Sequence, residues 1–198
     1  LVGSEMCIRD RYGAMPQATE KTFTVEGLNE YVTSADTLSD SVLVSLQNQA
    51  EDVMKAYAAA TYSENETFKG MTYLGNYILT PKVNSNWYDK DRIVLAYQVT
   101  VHQNYTNELN ETYDADNSYF WYITFKNVSK DADGNIVSGL RDYDKPTTEV
   151  RFDSGLKKYK SGSSTRGWVY EGYATMDDMY SAAVNKYVEN YNHQDNVA

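Results

Sequence analysis

The apolar positions of this chain fall into two rhythms. Between residues 34 and 60, Val42, Leu46, Ala50, Val53 and Tyr57 recur at steps of four and three, while Gln47, Asn48, Glu51, Asp52 and Lys55 lie off that line. Such spacing predicts a helix with one stripe turned to a core. Ser34, Asp36 and Ser39 are candidate N-caps, since their short oxygen-bearing side chains accept from the free amides of a first turn. A second stripe, Met176, Tyr180, Val184, Tyr187 and Tyr191, predicts a C-terminal helix. Thr175 and Asp178 stand at the spacing of a capping box at its start.

Between the two stripes the period changes to two. In RIVLAYQVTVH (92–102), Ile93, Leu95, Tyr97, Val99 and Val101 share one face, and Val94, Ala96, Gln98, Thr100 and His102 share the other. In SYFWYITFKNV (118–128), Tyr119, Trp121, Ile123 and Phe125 fall together. MTYLGNYILT (71–80) is a third strand, stopped by Pro81, which cannot continue a ladder. Shorter strands are expected after DADGN (131–135), at TTEVRF (147–152) and at RGWVYEGY (166–173). One wetter face per strand suggests an antiparallel sheet covered on one side. DSGLKKYKSGSSTRG (153–167) reads as a flexible polar loop.

A helix, a run of strands and a second helix predict an α+β fold. The expectation is a long N-terminal helix packed on a curled antiparallel sheet with a C-terminal helix, a cystatin-like or nuclear-transport-factor-like roll. Residues 34–192 form one domain on this reading, 12–33 are a linker or arm containing the short alternating piece KTFTV, and 193–198 are a fraying tail.

Composition adds little to the fold and more to the exclusions. Nineteen tyrosines supply most of the aromatic load. An apolar ring with a polar tip suits half-wet sheet faces, and strand packing accounts for their placement more simply than an aromatic surface for glycans does. The net charge of −10 repels phosphate backbones, so no nucleic-acid partner is expected. No apolar run approaches the roughly 20 residues of a membrane helix, so no membrane insertion by this segment is expected.

The chemistry-bearing motifs are few. The single cysteine, Cys7, has no partner for a disulfide or a CxxC metal pair, and the two histidines, His102 and His193, are too few for a histidine-based metal site. His102 is the one plausible general base. Asp131, Asp133, Asn135 and Asp142 occupy calcium-loop positions, but Ile136 stands where such a loop needs glycine and Asp142 where it needs glutamate. An Asp-Gly hairpin turn explains the same residues. Asn65, Asn104, Asn110 and Asn127 begin N-x-[ST] triplets. Lys157, Lys158, Lys160 and Arg166 form a basic cluster in an acidic chain, fit for an anionic polymer or simply solvated. Common nucleophile, nucleotide and zinc-protease motifs are missing, so no catalytic, cofactor-binding or metal residue is nominated, no cofactor is expected and the chain reads as a non-enzyme.

Two resemblances complete the reading. All eleven residues of LVGSEMCIRDR resemble a translated transposon adapter used in sequencing libraries, so residues 1–11 are expected to pack against nothing and the working sequence to begin near Tyr12. From about Glu20 to Asn196, the segments KTFTVEGLNEYVTS, QAEDVMKAYAA, YLGNYILTPK, IVLAYQVTVH, YFWYITFKNV, DADGN, WVYEGYATMDDMYSAAV and YNHQDN resemble a family of surface proteins of gut Firmicutes. Members of that family carry a zinc ribbon, one transmembrane helix and extracytoplasmic domains, an architecture similar to teicoplanin-resistance-associated membrane proteins. The resemblance implies the C-terminal extracytoplasmic domain of a membrane-anchored surface protein, binding or sensing a cell-wall polymer, glycan or protein. A hydrolase with a pocket in the roll, or a structural spacer, is the alternative.

Overall fold

The computed structural model describes residues 27–83 and 90–197. The adapter-like segment with Cys7, and the KTFTV piece of the arm, lie outside the described residues. The elements run β1 (Glu30–Tyr31), α1 (Asp40–Thr61), β2 (Glu66–Pro81), β3 (Arg92–Thr106), β4 (Thr112–Lys126), β5 (Ser129–Lys130), β6 (Ile136–Ser138), β7 (Tyr143–Asp144), β8 (Glu149–Lys157), β9 (Thr165–Glu171), α2 (Met176–Ala183), a 3-10 turn (Asn185–Tyr187) and β10 (Tyr191–Val197). The described chain is α+β, with antiparallel sheets and two helices.

The central sheet has five strands in the order β10-β2-β3-β4-β7. β3 and β4 pair without slip from Arg92↔Lys126 to Thr106↔Thr112. One face carries Ile93, Leu95, Tyr97, Val99, Val101, Tyr119, Trp121, Ile123 and Phe125, all buried. Two elements cover it: α1 through Val42, Leu46, Ala50 and Met54, and the β8–β9 hairpin through Val150, Trp168 and Tyr170. Tyr170 stacks on Tyr119 with ring centroids 5.3 Å apart. At roughly 25 cal/mol per Å² of apolar surface, these aromatic side chains dominate the hydrophobic term of the core.

The helix is shorter than the expected span of residues 34–60 at its start. It begins at Asp40, and Ser39 is its N-cap by position without a side-chain cap bond. Ser34 belongs to a preceding turn held by the Thr37 hydroxyl, which accepts from the Thr33 and Ser34 amides at 3.0 Å. The buried line is Val42, Leu46, Ala50, Met54 and Ala58, so Val53 and Tyr57 are flank positions, not centre.

The other face of the sheet corrects the expectation of one-sided cover. Val94, Ala96, Tyr122, Tyr77 and Leu79 are buried there beneath Met179, Ala183 and Val184 of the α2 region and beneath Tyr191. Only beyond Gln98 does this face open, where Thr100, His102 and Asn104 alternate with buried Val99, Val101 and Gln103. The Thr175 cap is as predicted, with the Asp178 amide donating to its hydroxyl at 3.1 Å. The helix, however, ends at Ala183, because the chain turns at Val184 into a 3-10 turn.

Residues 193–198 do not all fray as expected. Tyr191–Val197 pairs with β2 from Tyr191↔Pro81 to Val197↔Gly75. Gly75 lies at φ 142° inside a bulge of β2, and a Cβ there would strike the backbone of Asn196. The polar loop is also more ordered than its composition suggested. β8 runs to Lys157, β9 starts at Thr165, and the hairpin tip leans on the β3–β4 tip through Tyr105 Oη donating to the Lys158 carbonyl at 3.1 Å.

Candidate functional site

The His102 side chain is 32% exposed. It stands on the open part of the outer face, with Nδ1 2.8 Å from Asp116 Oδ1 and Nε2 3.6 Å from Asp114 Oδ1. The pair is cross-strand, fixed by the His102↔Asp116 register, and the surrounding face is polar: Thr100 meets Ser118 at 2.9 Å and Asn104 donates to Asp114 at 2.9 Å. Among the described residues, the outward positions of β3 and β4 beyond Gln98 are Thr100, His102, Asn104, Asp114, Asp116 and Ser118, none of them aromatic. The tyrosines and tryptophans of β3 and β4 point mostly inward, which settles their use here as core.

The calcium-loop residues form a turn. Asp131 Oδ1 accepts from the amides of Asp133 at 3.1 Å and Asn135 at 2.8 Å, and its other oxygen accepts from Asn135 Nδ2 at 3.2 Å. These bonds, those from Asn135 first, hold its carboxyl below the usual carboxylate range. Gly134 supplies the left-handed residue at φ 84°. Asp142 is turned elsewhere, 2.7 Å from Lys90.

The basic cluster divides. Arg166 folds inward over Trp168, 5.6 Å from its ring, and donates to Ser63 Oγ at 3.2 Å. Lys157, Lys158 and Lys160 remain at the hairpin tip, where the Lys160 amide donates to Glu108 at 3.0 Å. Of the triplet asparagines, Asn110 and Asn127 adopt positive φ and serve as turn residues.

Two carboxylates, Glu149 and Asp178, share an open groove of about 660 Å³ between the β8–β9 hairpin and α2. Both are engaged: Arg151 donates to Glu149 at 2.9 Å, and Thr175 donates to Asp178 at 2.7 Å.

A smaller cleft has a sharper feature. It measures about 310 Å³ and lies between α1 and β2, lined by Gln47, Asn48, Glu51, Gly70, Met71, Tyr73 and Tyr97. Three helix residues at i, i+1 and i+4 form one wall, and they flank the buried Leu46–Ala50 line. The opposite wall is the stretch of β2 between two bulges, one at Phe68/Gly70 and one at Tyr73/Gly75. Bulges interrupt the ladder and re-aim side chains.

The floor is Tyr97, paired with Tyr73 across the strands, with ring centroids 5.6 Å apart and Trp121 beyond at 6.0 Å. Tyr97 is 3% exposed, and its hydroxyl finds no hydrogen-bond partner among the described residues. Burial pushes this hydroxyl far above the ordinary tyrosine range, with Tyr73 and Glu51 adding to the shift. Tyr73 is also raised by burial, and its hydroxyl accepts from Asn76 Nδ2 at 2.8 Å. Glu51 is held by Lys55 at 2.8 Å.

Sequence reasoning placed Gln47, Asn48 and Glu51 off the stripe and did not link them to Tyr97. The available signal was Gly70 and Gly75 inside a strand, since an isolated strand glycine marks a bulge or a close approach. No protein-family model, curated protein or solved structure matches the chain. Among the described residues no helix is long and apolar enough to cross a membrane.

Proposed function

We propose that this chain is a non-catalytic extracytoplasmic domain of a bacterial membrane-anchored surface protein, and that it binds a cell-wall polymer, glycan or protein. The architecture is a nuclear-transport-factor-like roll on this reading, with the interior under α1 and the β8–β9 hairpin filled by Tyr119, Tyr170 and Trp121 rather than left as a substrate cavity. The observation that supports the proposal is the polar cleft between α1 and β2, walled by Gln47, Asn48 and Glu51 and floored by the Tyr73–Tyr97 ring pair.

The catalytic alternative draws less support. Its one general-base candidate, His102, lies on an open sheet face, and the two carboxylates of the larger groove already hold structural partners. The test is co-sedimentation of the chain with purified Gram-positive sacculi, before and after protease treatment of the sacculi. Retention on both is the expected result. Retention lost with the protease would assign a protein ligand, and a chain that stays in the supernatant in both would sink the proposal.

A further inference from the structure

We propose that the outer edge of β10 is a self-association surface. A second copy of this chain adds its own β10 there, antiparallel, and joins the two five-stranded sheets into one. Among the described residues, β10 pairs with β2 alone and ends its sheet. That ladder holds one register from Tyr191↔Pro81 to Val197↔Gly75. Lys82 donates its amide to the Asn190 carbonyl at 2.8 Å, so the even-numbered residues of β10 carry the bonds to β2. Pro81 has no amide to give and stands opposite Tyr191, which fits the same alternation. The amides and carbonyls of His193 and Asp195 therefore point away from β2, and among the described residues nothing bonds to them. Asn192 to Asn196 are all exposed.

Natural sheet edges are blunted by lysine, proline, a bulge or short length. The opposite edge of this sheet is blunted: β7 has two residues, and its Asp144 is tied to Lys126 at 2.8 Å. β10 lacks these devices. It runs for seven residues in unbroken register, and YNHQDNV holds no lysine, proline or glycine.

The strand itself identifies the occupant, because YNHQDNV is a chemical palindrome. With Gln194 opposite Gln194 of the second copy, His193 meets the second copy's Asp195 and Tyr191 meets its Val197. Asn192 meets Asn196, two amides that each donate and accept. These are an imidazole–carboxylate pair, an aromatic–β-branched pair and an amide pair, and no like charges meet. Backbone bonding agrees, since His193 and Asp195 both present outward groups and meet as a hydrogen-bonded pair. Slipping the register by two residues either way sets His193 against His193 or Asp195 against Asp195. An odd slip sets outward groups against residues already bonded to β2.

Seven residues a side is well below the roughly 20–30 of a standard interface, so the dimer is weak and concentration-dependent. The charge of −10 on each copy opposes it further at low salt. Each copy spends the same edge, so assembly closes at two. This surface lies apart from the α1–β2 cleft, and the inference stands independently of wall binding.

The experiment is sedimentation equilibrium in about 0.15 M salt, from about 10 µM to about 1 mM chain. A shift from monomer toward dimer across that range is expected. His193→Asp sets carboxylate against carboxylate twice per dimer and is expected to weaken association about tenfold. The double variant His193→Asp/Asp195→His rebuilds the palindrome and is expected to restore it. Both side chains are exposed, so the unfolding midpoint at low concentration should not move. Register is read separately in a Cys7→Ser background. Gln194→Cys stands opposite its own copy at a spacing a disulfide can bridge, so mild oxidation should give a covalent dimer. Asn192→Cys, opposite Asn196, should not. The inference is overturned by a chain that stays monomeric throughout, or by His193→Asp dimerising as the parent does. It is equally overturned if Gln194→Cys cross-links no faster than Asn192→Cys.

Discussion

Two substitutions of identical chemistry are expected to move stability in opposite directions. Tyr97 and Tyr170 are both buried, at 3% and 1% exposure. The Tyr170 hydroxyl accepts from Gln103 Nε2 at 2.8 Å, and Gln103 Oε1 accepts in turn from Asn117 Nδ2 at 2.7 Å. Gln103 is fully buried, so Tyr170→Phe strands an amide donor and costs about 1–3 kcal/mol. Tyr97→Phe removes a hydroxyl that has no partner to lose, so the desolvation it carries is relieved and the fold gains about 1 kcal/mol. For a chain of this size that corresponds to a rise of roughly 2–4 °C for Tyr97→Phe and a fall of at least that for Tyr170→Phe. Thermal unfolding followed by circular dichroism reads both. A Tyr97→Phe midpoint that drops as far as the Tyr170→Phe midpoint would mean that the Tyr97 hydroxyl is bonded.

Three further outcomes follow from the packing. Gly172→Ala would place a Cβ 2.5 Å from the Tyr119 ring and 2.7 Å from the Phe120 carbonyl, so differential scanning calorimetry is expected to show a loss of about 1–3 kcal/mol. Thr175→Ala removes the hydroxyl that accepts from the Asp178 amide and is expected to cost about 1 kcal/mol in chemical denaturation, with Thr175→Ser near neutral. In alkali, burial pushes Tyr62 and Tyr77 up to about 12 and Tyr97, Tyr119, Tyr122 and Tyr170 higher still. A raised folded pKa gives stability that is complete below the ordinary value of 10.0 and is lost as pH climbs through the folded value. Tyrosinate absorbance should therefore rise in two phases, the second coinciding with loss of the far-ultraviolet signal; a single phase near pH 10 would contradict the burial.

The strands and their inward faces were legible because period-2 patterning survives wherever one face is wet. The same stretch also held the clue to the second face. From Ile93 to Tyr97 the run is continuously apolar and only then alternates, which marks where α2 covers the sheet and where it stops. The tail was misread because Asn192 to Asn196 is polar and exposed, and this edge strand is held by its backbone pairing with β2. The stripe of α1 was placed one residue off at its C-terminal half, since Val53 and Met54 are equally apolar and only the sheet decides between them. The cleft was not legible. Its walls come from helix positions that look solvated, a strand segment set by two bulges, and a tyrosine indistinguishable by pattern from its buried neighbours.

The most direct test of the binding account is amide chemical-shift mapping of the chain during titration with solubilised sacculus fragments. Shifts gathered at Gln47–Glu51 and Gly70–Tyr73 are the predicted result. Shifts confined to the Thr148–Ala182 groove or to the two hairpin tips would contradict the cleft as the site, and a spectrum unchanged at saturating fragment would contradict wall binding itself.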